Sequence, residues 1–107
     1  MEKVIINYEP SADKYIVDLI DVLFAKEYFG FKVDAQNYAM KIADFIKSNI
    51  VTFPHKETPE QLHSFGAKYI FYKANQRTTW FIFFEQDGNH FLITNIINSH
   101  SPEAKFL

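Results

Sequence analysis

The chain has 107 residues, 48% of them hydrophobic, with 12 Phe, 6 Tyr, 1 Trp and no Cys. That is material for one well-filled core at 1–107 and no second domain, and it excludes disulfides, thiolate metal sites and a cysteine nucleophile. The net charge of −2, with 11 Lys plus Arg against 13 Asp plus Glu, argues against general affinity for nucleic acid.

Lys3 to Tyr8 is apolar and β-branched and is closed by Glu9-Pro10, so it predicts a first strand. No long apolar stretch opens the chain, and the densest apolar run, Trp80 to Phe84, is far shorter than the roughly twenty residues a membrane helix needs. These features predict a soluble, cytoplasmic protein. Ser11 offers an N-cap for a helix whose apolar positions are Tyr15, Ile16, Leu19, Ile20, Leu23 and Phe24. Gly30 marks a turn, and Asp34 begins a second helix carrying Ala35, Tyr38, Ala39, Ile42, Ala43, Phe45, Ile46 and Ile50 on one side.

From Thr52 to Gly66 the periodicity dissolves around Pro54 and Pro59, which predicts a surface loop with one helical turn at Pro59 to His63. Three strands should follow, at Lys68 to Lys73, Thr78 to Gln86 and His90 to Asn98, the last two joined by a tight turn at Asp87-Gly88. Trp80 to Phe84 is apolar at every position, as in a central strand covered on both faces. The order is β-α-α-β-β-β, an α+β domain with a helical hairpin on an antiparallel sheet. Leu19, Leu23, Ile42 and Ile46 are expected to face Phe81 and Phe83.

His55, His63, His90 and His100 have spacings that fit no metal-ligand pair and read as scattered surface histidines, so neither a metal nor a cofactor is expected. His100 is the one candidate for acid–base work. Lys68, Lys73 and Arg77 lie on or beside the first strand after the loop and, with Lys105, form a candidate cationic rim; Lys68 and Lys73 should point to opposite faces. The aromatics Tyr69, Phe71, Tyr72, Trp80, Phe81, Phe83, Phe84 and Phe91 have too few interleaved cations for a base-stacking platform and read as core. The three glycines sit in turns, and no phosphate-binding loop or Ser–His–Asp order is present.

Element order, the Ala12-Asp13 helix start, the second helix running into Thr52-Phe53-Pro54, the strand Tyr69-Ile70-Phe71-Tyr72 and a hairpin ending in Asn98-Ser99-His100 together resemble the RelE/ParE superfamily of toxins from toxin–antitoxin (plasmid stabilisation) modules. The resemblance implies a cognate antitoxin as partner. It departs from the mRNA-cleaving branch in two places: Ile70 stands where many members carry Arg, and Ser101-Pro102-Glu103 follows His100 where many carry basic residues. The gyrase-inhibiting branch, which acts by binding, is the closer likeness. The expectation is a toxin-like protein that works by protein contact, with DNA gyrase or another protein as target, a homodimer as an option and little direct binding of nucleic acid. Lys68, Lys73, Arg77 and His100 are the target- or antitoxin-binding candidates. The alternatives are a ribosome-dependent ribonuclease using His100 with Lys68, Lys73 or Arg77, and a diverged non-toxic domain that keeps only the fold.

Overall fold

The computed structural model describes residues 3–25, 32–74, 76 and 78–107, and side chains outside positions 17, 19–25 and 32–35. Strand β1 (Ile5–Tyr8) gives way at once to helix α1 (Pro10–Ala25). Pro10 occupies the first helical position, where its missing N–H removes nothing the helix would use. The Asp13 amide then closes the first turn on the Glu9 carbonyl at 2.9 Å. Ser11 is therefore a helical residue and not the cap. Helix α2 (Lys32–Asn49) likewise begins two residues before Asp34.

No glycine ends α2. Asn49 Nδ2 donates to the Phe45 carbonyl at 3.0 Å, the Phe53 amide reaches the Asn49 carbonyl at 2.7 Å, and His55 Nε2 bonds the Ile50 carbonyl. Side chains and a turn thus satisfy carbonyls a helix end would leave open. The loop that follows holds a two-residue strand β2 (Lys56–Glu57), absent from the sequence reading because two residues carry no periodicity. It also holds 3-10 turns over Glu60–Phe65 that kink at Leu62. Strands β3 (Lys68–Lys73), β4 (Thr79–Asp87) and β5 (His90–Asn98) follow, and a last 3-10 turn spans Pro102–Phe106. The β4–β5 turn centres on Gly88, at φ 58°, and Asn89, one residue later than Asp87-Gly88.

The sheet has the order β1-β5-β4-β3-β2. Its direction corrects the expectation of an antiparallel sheet: β1 runs parallel to β5, with Ile6 opposite Phe91 and Tyr8 opposite Ile93. A parallel neighbour needs a long crossover, and the two helices supply one. No side-chain pattern in Val4 to Tyr8 distinguishes the two directions. The remaining pairs are antiparallel.

Both faces of the sheet are covered. On one, Ile70, Trp80, Ile82, Phe84, Phe91, Ile93 and Ile96 pack under Ala12 of α1 and the α2 stripe Ala39, Ile42, Ile46 and Ile50. On the other, Tyr69, Phe83 and Ile97 pack with Leu62, flanked by Phe65, Phe71, Phe81 and Leu107. Phe81 and Phe83 therefore face away from the helices, and Trp80, Ile82 and Phe84 are the helix-facing set. Ile42 and Ile46 lie in the helix-side core as expected, whereas Leu19, Leu23 and Gly30 fall outside the described residues and side chains.

A β-bulge makes this division possible. Phe83 pairs with Asn95 and Phe84 with Ile93, so Thr94 has no opposite number on β4. The extra residue places Ile93 and Ile96 on the same face although they are three apart. Thr94 is pinned, its hydroxyl donating to the Phe65 carbonyl. Gly66 lies directly beneath: a Cβ there would sit 2.6 Å from Thr94 Oγ1 and 3.0 Å from both Phe83 Cβ and the Phe84 amide nitrogen. Gly66→Ala should cost about 1–3 kcal/mol by overpacking and Ile42→Ala about 2–5 kcal/mol by leaving a cavity, both read from urea unfolding midpoints. Loss below about 0.5 kcal/mol at either would contradict the packing described.

Candidate functional site

One end of the sheet holds two of the polar candidates, Lys73 and His100. Lys73 pairs with Thr79 and Trp80 with Asn98, so the end of β3, the start of β4 and the end of β5 lie side by side. Ser99 clasps Thr79 twice, its amide on the Thr79 carbonyl at 2.8 Å and its hydroxyl accepting from the Thr79 amide at 3.1 Å. The His100 amide donates to Asn98 Oδ1 at 2.8 Å, and its exposed ring is hydrogen-bonded through Nε2 to Thr78 Oγ1 at 3.1 Å. The imidazole thus rests on Thr78 at the same end of the sheet as Lys73.

Lys68 is not part of this group. It pairs with Phe84 at the opposite end of β3, about 17 Å along the strand, and neighbours Glu57 of β2. Lys68 and Lys73 do lie on opposite faces, in register with the helix-facing Phe84 and the outward Thr79 rows respectively. Arg77 lies outside the described residues. Lys105 stands over the Phe106 ring, 5.1 Å from its centre, in the C-terminal turn. Among the described residues, no three His, Asp or Glu come together in a way that would hold a metal ion, and no helix is long and apolar enough to cross a membrane.

Two residues gain importance from the structure. His55 is half-buried, not a surface histidine: its ring meets Phe84 edge-on at 4.9 Å and Phe91 at 6.2 Å while Nε2 holds the end of α2. Lys56, in β2, places its ammonium 5.9 Å from the centre of Phe71 on the outer sheet face. The charge belongs to a residue in an apparently featureless loop, and only its pairing opposite Tyr69 brings it there. The aromatics divide between the two cores, with Tyr72 stacked on Phe45 at 4.9 Å and Phe65 edge-on to Phe83 at 5.4 Å, so they are packing groups and not a row of free rings.

A groove runs between β1 and α2, lined by Val4, Ile6, Tyr8, Ala43, Asp44 and Lys47. Farther along α2, Met40 is 60% exposed, and Val51 beyond its end is 54% exposed. Burial pushes the phenol of Tyr8 above its usual 10.0, with Asp13 adding to the shift, and burial alone raises Tyr15 and Tyr69. The native state favours their protonated forms. Their contribution is complete below pH 10.0 and is lost as pH rises from there through the raised native values.

Comparison with family models, characterised proteins and solved structures returned no match. Truncating the two histidines should separate their roles. His55→Ala is expected to cost about 1–3 kcal/mol, because it removes a helix-end partner and core ring contacts, while His100→Ala should cost less than about 0.5 kcal/mol. Chemical denaturation at neutral pH checks both, and a midpoint that falls continuously from pH 10 upward checks the tyrosines.

Proposed function

We propose that this chain is a toxin-like protein of the RelE/ParE type, a single domain that acts by binding another protein and is neutralised by a small antitoxin. The observation that carries this reading is the arrangement of the elements: one strand, two helices and then the antiparallel set β3-β4-β5, with the helices on one sheet face. The His100 end of the sheet follows that set.

Binding is favoured over cleavage by the chemistry of two positions. RNA cleavage needs cations aimed at the scissile phosphate and a group that moves the proton of the attacking 2′-hydroxyl. Ile70, which stands in the slot where many members of that superfamily carry Arg, is fully buried against the helix-side core and can present nothing to a substrate. The stretch after His100 is Ser101-Pro102-Glu103, whose last side chain is acidic. Among the described residues, this end offers the Lys73 ammonium and the His100 imidazole on Thr78, groups suited to docking by charge and hydrogen bonds. In this reading Lys73 and His100 contact the target, and gyrase is the first target to try. Met40 on α2 offers an apolar anchor for an antitoxin helix or extended segment.

Expression alone should slow growth, and the product of an adjacent small gene should relieve the effect and co-purify. Growth inhibition should survive His100→Ala, with no new transcript ends by primer extension. Transcript cuts that vanish in His100→Ala would instead make the protein a ribonuclease. No growth effect together with no captured partner would leave the diverged, non-toxic domain.

A further inference from the structure

The outer edge of β1 is built to pair. In a strand, the N–H and C=O of one residue point the same way and alternate along the chain. The Ile5 amide bonds the Asn89 carbonyl at 3.0 Å and the Glu9 amide bonds the Ile93 carbonyl at 2.9 Å, so the odd positions look toward β5. Val4, Ile6 and Tyr8 consequently turn their backbone groups outward, and β1 is the terminal strand of the sheet. Such edges are normally blunted by charge, proline or a bulge. Here the three outward positions are apolar or aromatic, and the first proline is Pro10, past the end of the strand.

We infer that two copies of this chain associate through antiparallel β1–β1 pairing about a two-fold axis at Ile6. Ile6 then meets Ile6 of the second copy and Val4 meets its Tyr8, and each opposed pair exchanges both backbone hydrogen bonds. The same register sets Lys3 opposite Glu9 of the second copy, and symmetry repeats the ion pair at the other end. These two side chains share the outer face, so opposite charges close both ends of the joined strands. Along the helix side, the groove beside Val4, Ile6 and Tyr8 carries both signs, on Asp44 and Lys47, which is compatible with a surface that meets its own copy. An unrelated peptide would satisfy the backbone edge, but only a second copy brings the matching length and the Lys3–Glu9 reciprocity. The inference does not depend on the toxin reading.

Sedimentation equilibrium of the full chain tests it, with no antitoxin and no growth assay involved. The wild type should show a reversible monomer–dimer equilibrium in about the micromolar range, as expected of a small interface. Ile6→Pro deletes an N–H that has no use within the monomer, and should give a monomer with an unchanged circular dichroism spectrum. Lys3→Glu, which sets like charges face to face, should weaken the dimer about tenfold, and adding Glu9→Lys should restore it. A wild type that stays monomeric across that range overturns the inference, as does a dimer indifferent to the charge reversals. A folded Ile6→Pro chain that still dimerises overturns it equally.

Discussion

Thr94 has no partner across the ladder, and both cores depend on that. Side chains alternate strictly along a strand, so β5 in unbroken register could not send both Ile93 and Ile96 toward the helices. The bulge inserts one residue, and the two isoleucines reach the same face while Ile97 reaches the other. The hydroxyl that fixes the bulge also anchors the loop through the Phe65 carbonyl, and that loop brings Leu62 and Phe65 over the outer face. Register, loop position and the second core are one device, and Gly66 leaves the room for it.

Elements with a strong period were legible in the sequence. The α2 stripe Ala39, Ile42, Ile46, Ile50 is buried as its spacing implies, and Lys68–Lys73 and His90–Asn98 coincide with their expected bounds. Which face of β4 meets the helices was not legible. Trp80 to Phe84 is apolar throughout, so alternation carries no sign; the choice is made by partners far away in the chain, above all the stripe of α2 and the bulged β5. The parallel direction of β1 was hidden for a similar reason, since strand composition does not record which neighbour is chosen.

The polar sites were legible only in part. His100 and Lys73 were visible as types of residue, and their shared position follows from the β3–β4–β5 register, which the hairpin turn nearly fixes. Lys68 shares a candidate rim with Lys73 in sequence, but the expected opposite faces and a strand's length separate the two. His55 reads as a surface residue in the sequence because nothing in Pro54-His55-Lys56 announces burial. Its ring is claimed by the end of α2 and by Phe84, both remote from the loop in their sequence patterns.

Trp80 is the chain's single tryptophan, and its indole N–H donates to the Tyr38 hydroxyl at 3.0 Å, from the central strand to α2. Tyr15 of α1 and Tyr38 of α2 both meet the indole edge-on, at 6.4 and 6.2 Å. Indole emission shifts to the red when water replaces such neighbours, so one intrinsic fluorophore reports the docking of both helices on the sheet. Far-ultraviolet dichroism follows the helices themselves whether or not they are docked. Disagreement between the two signals would expose a state in which the helices have formed but the layers have separated.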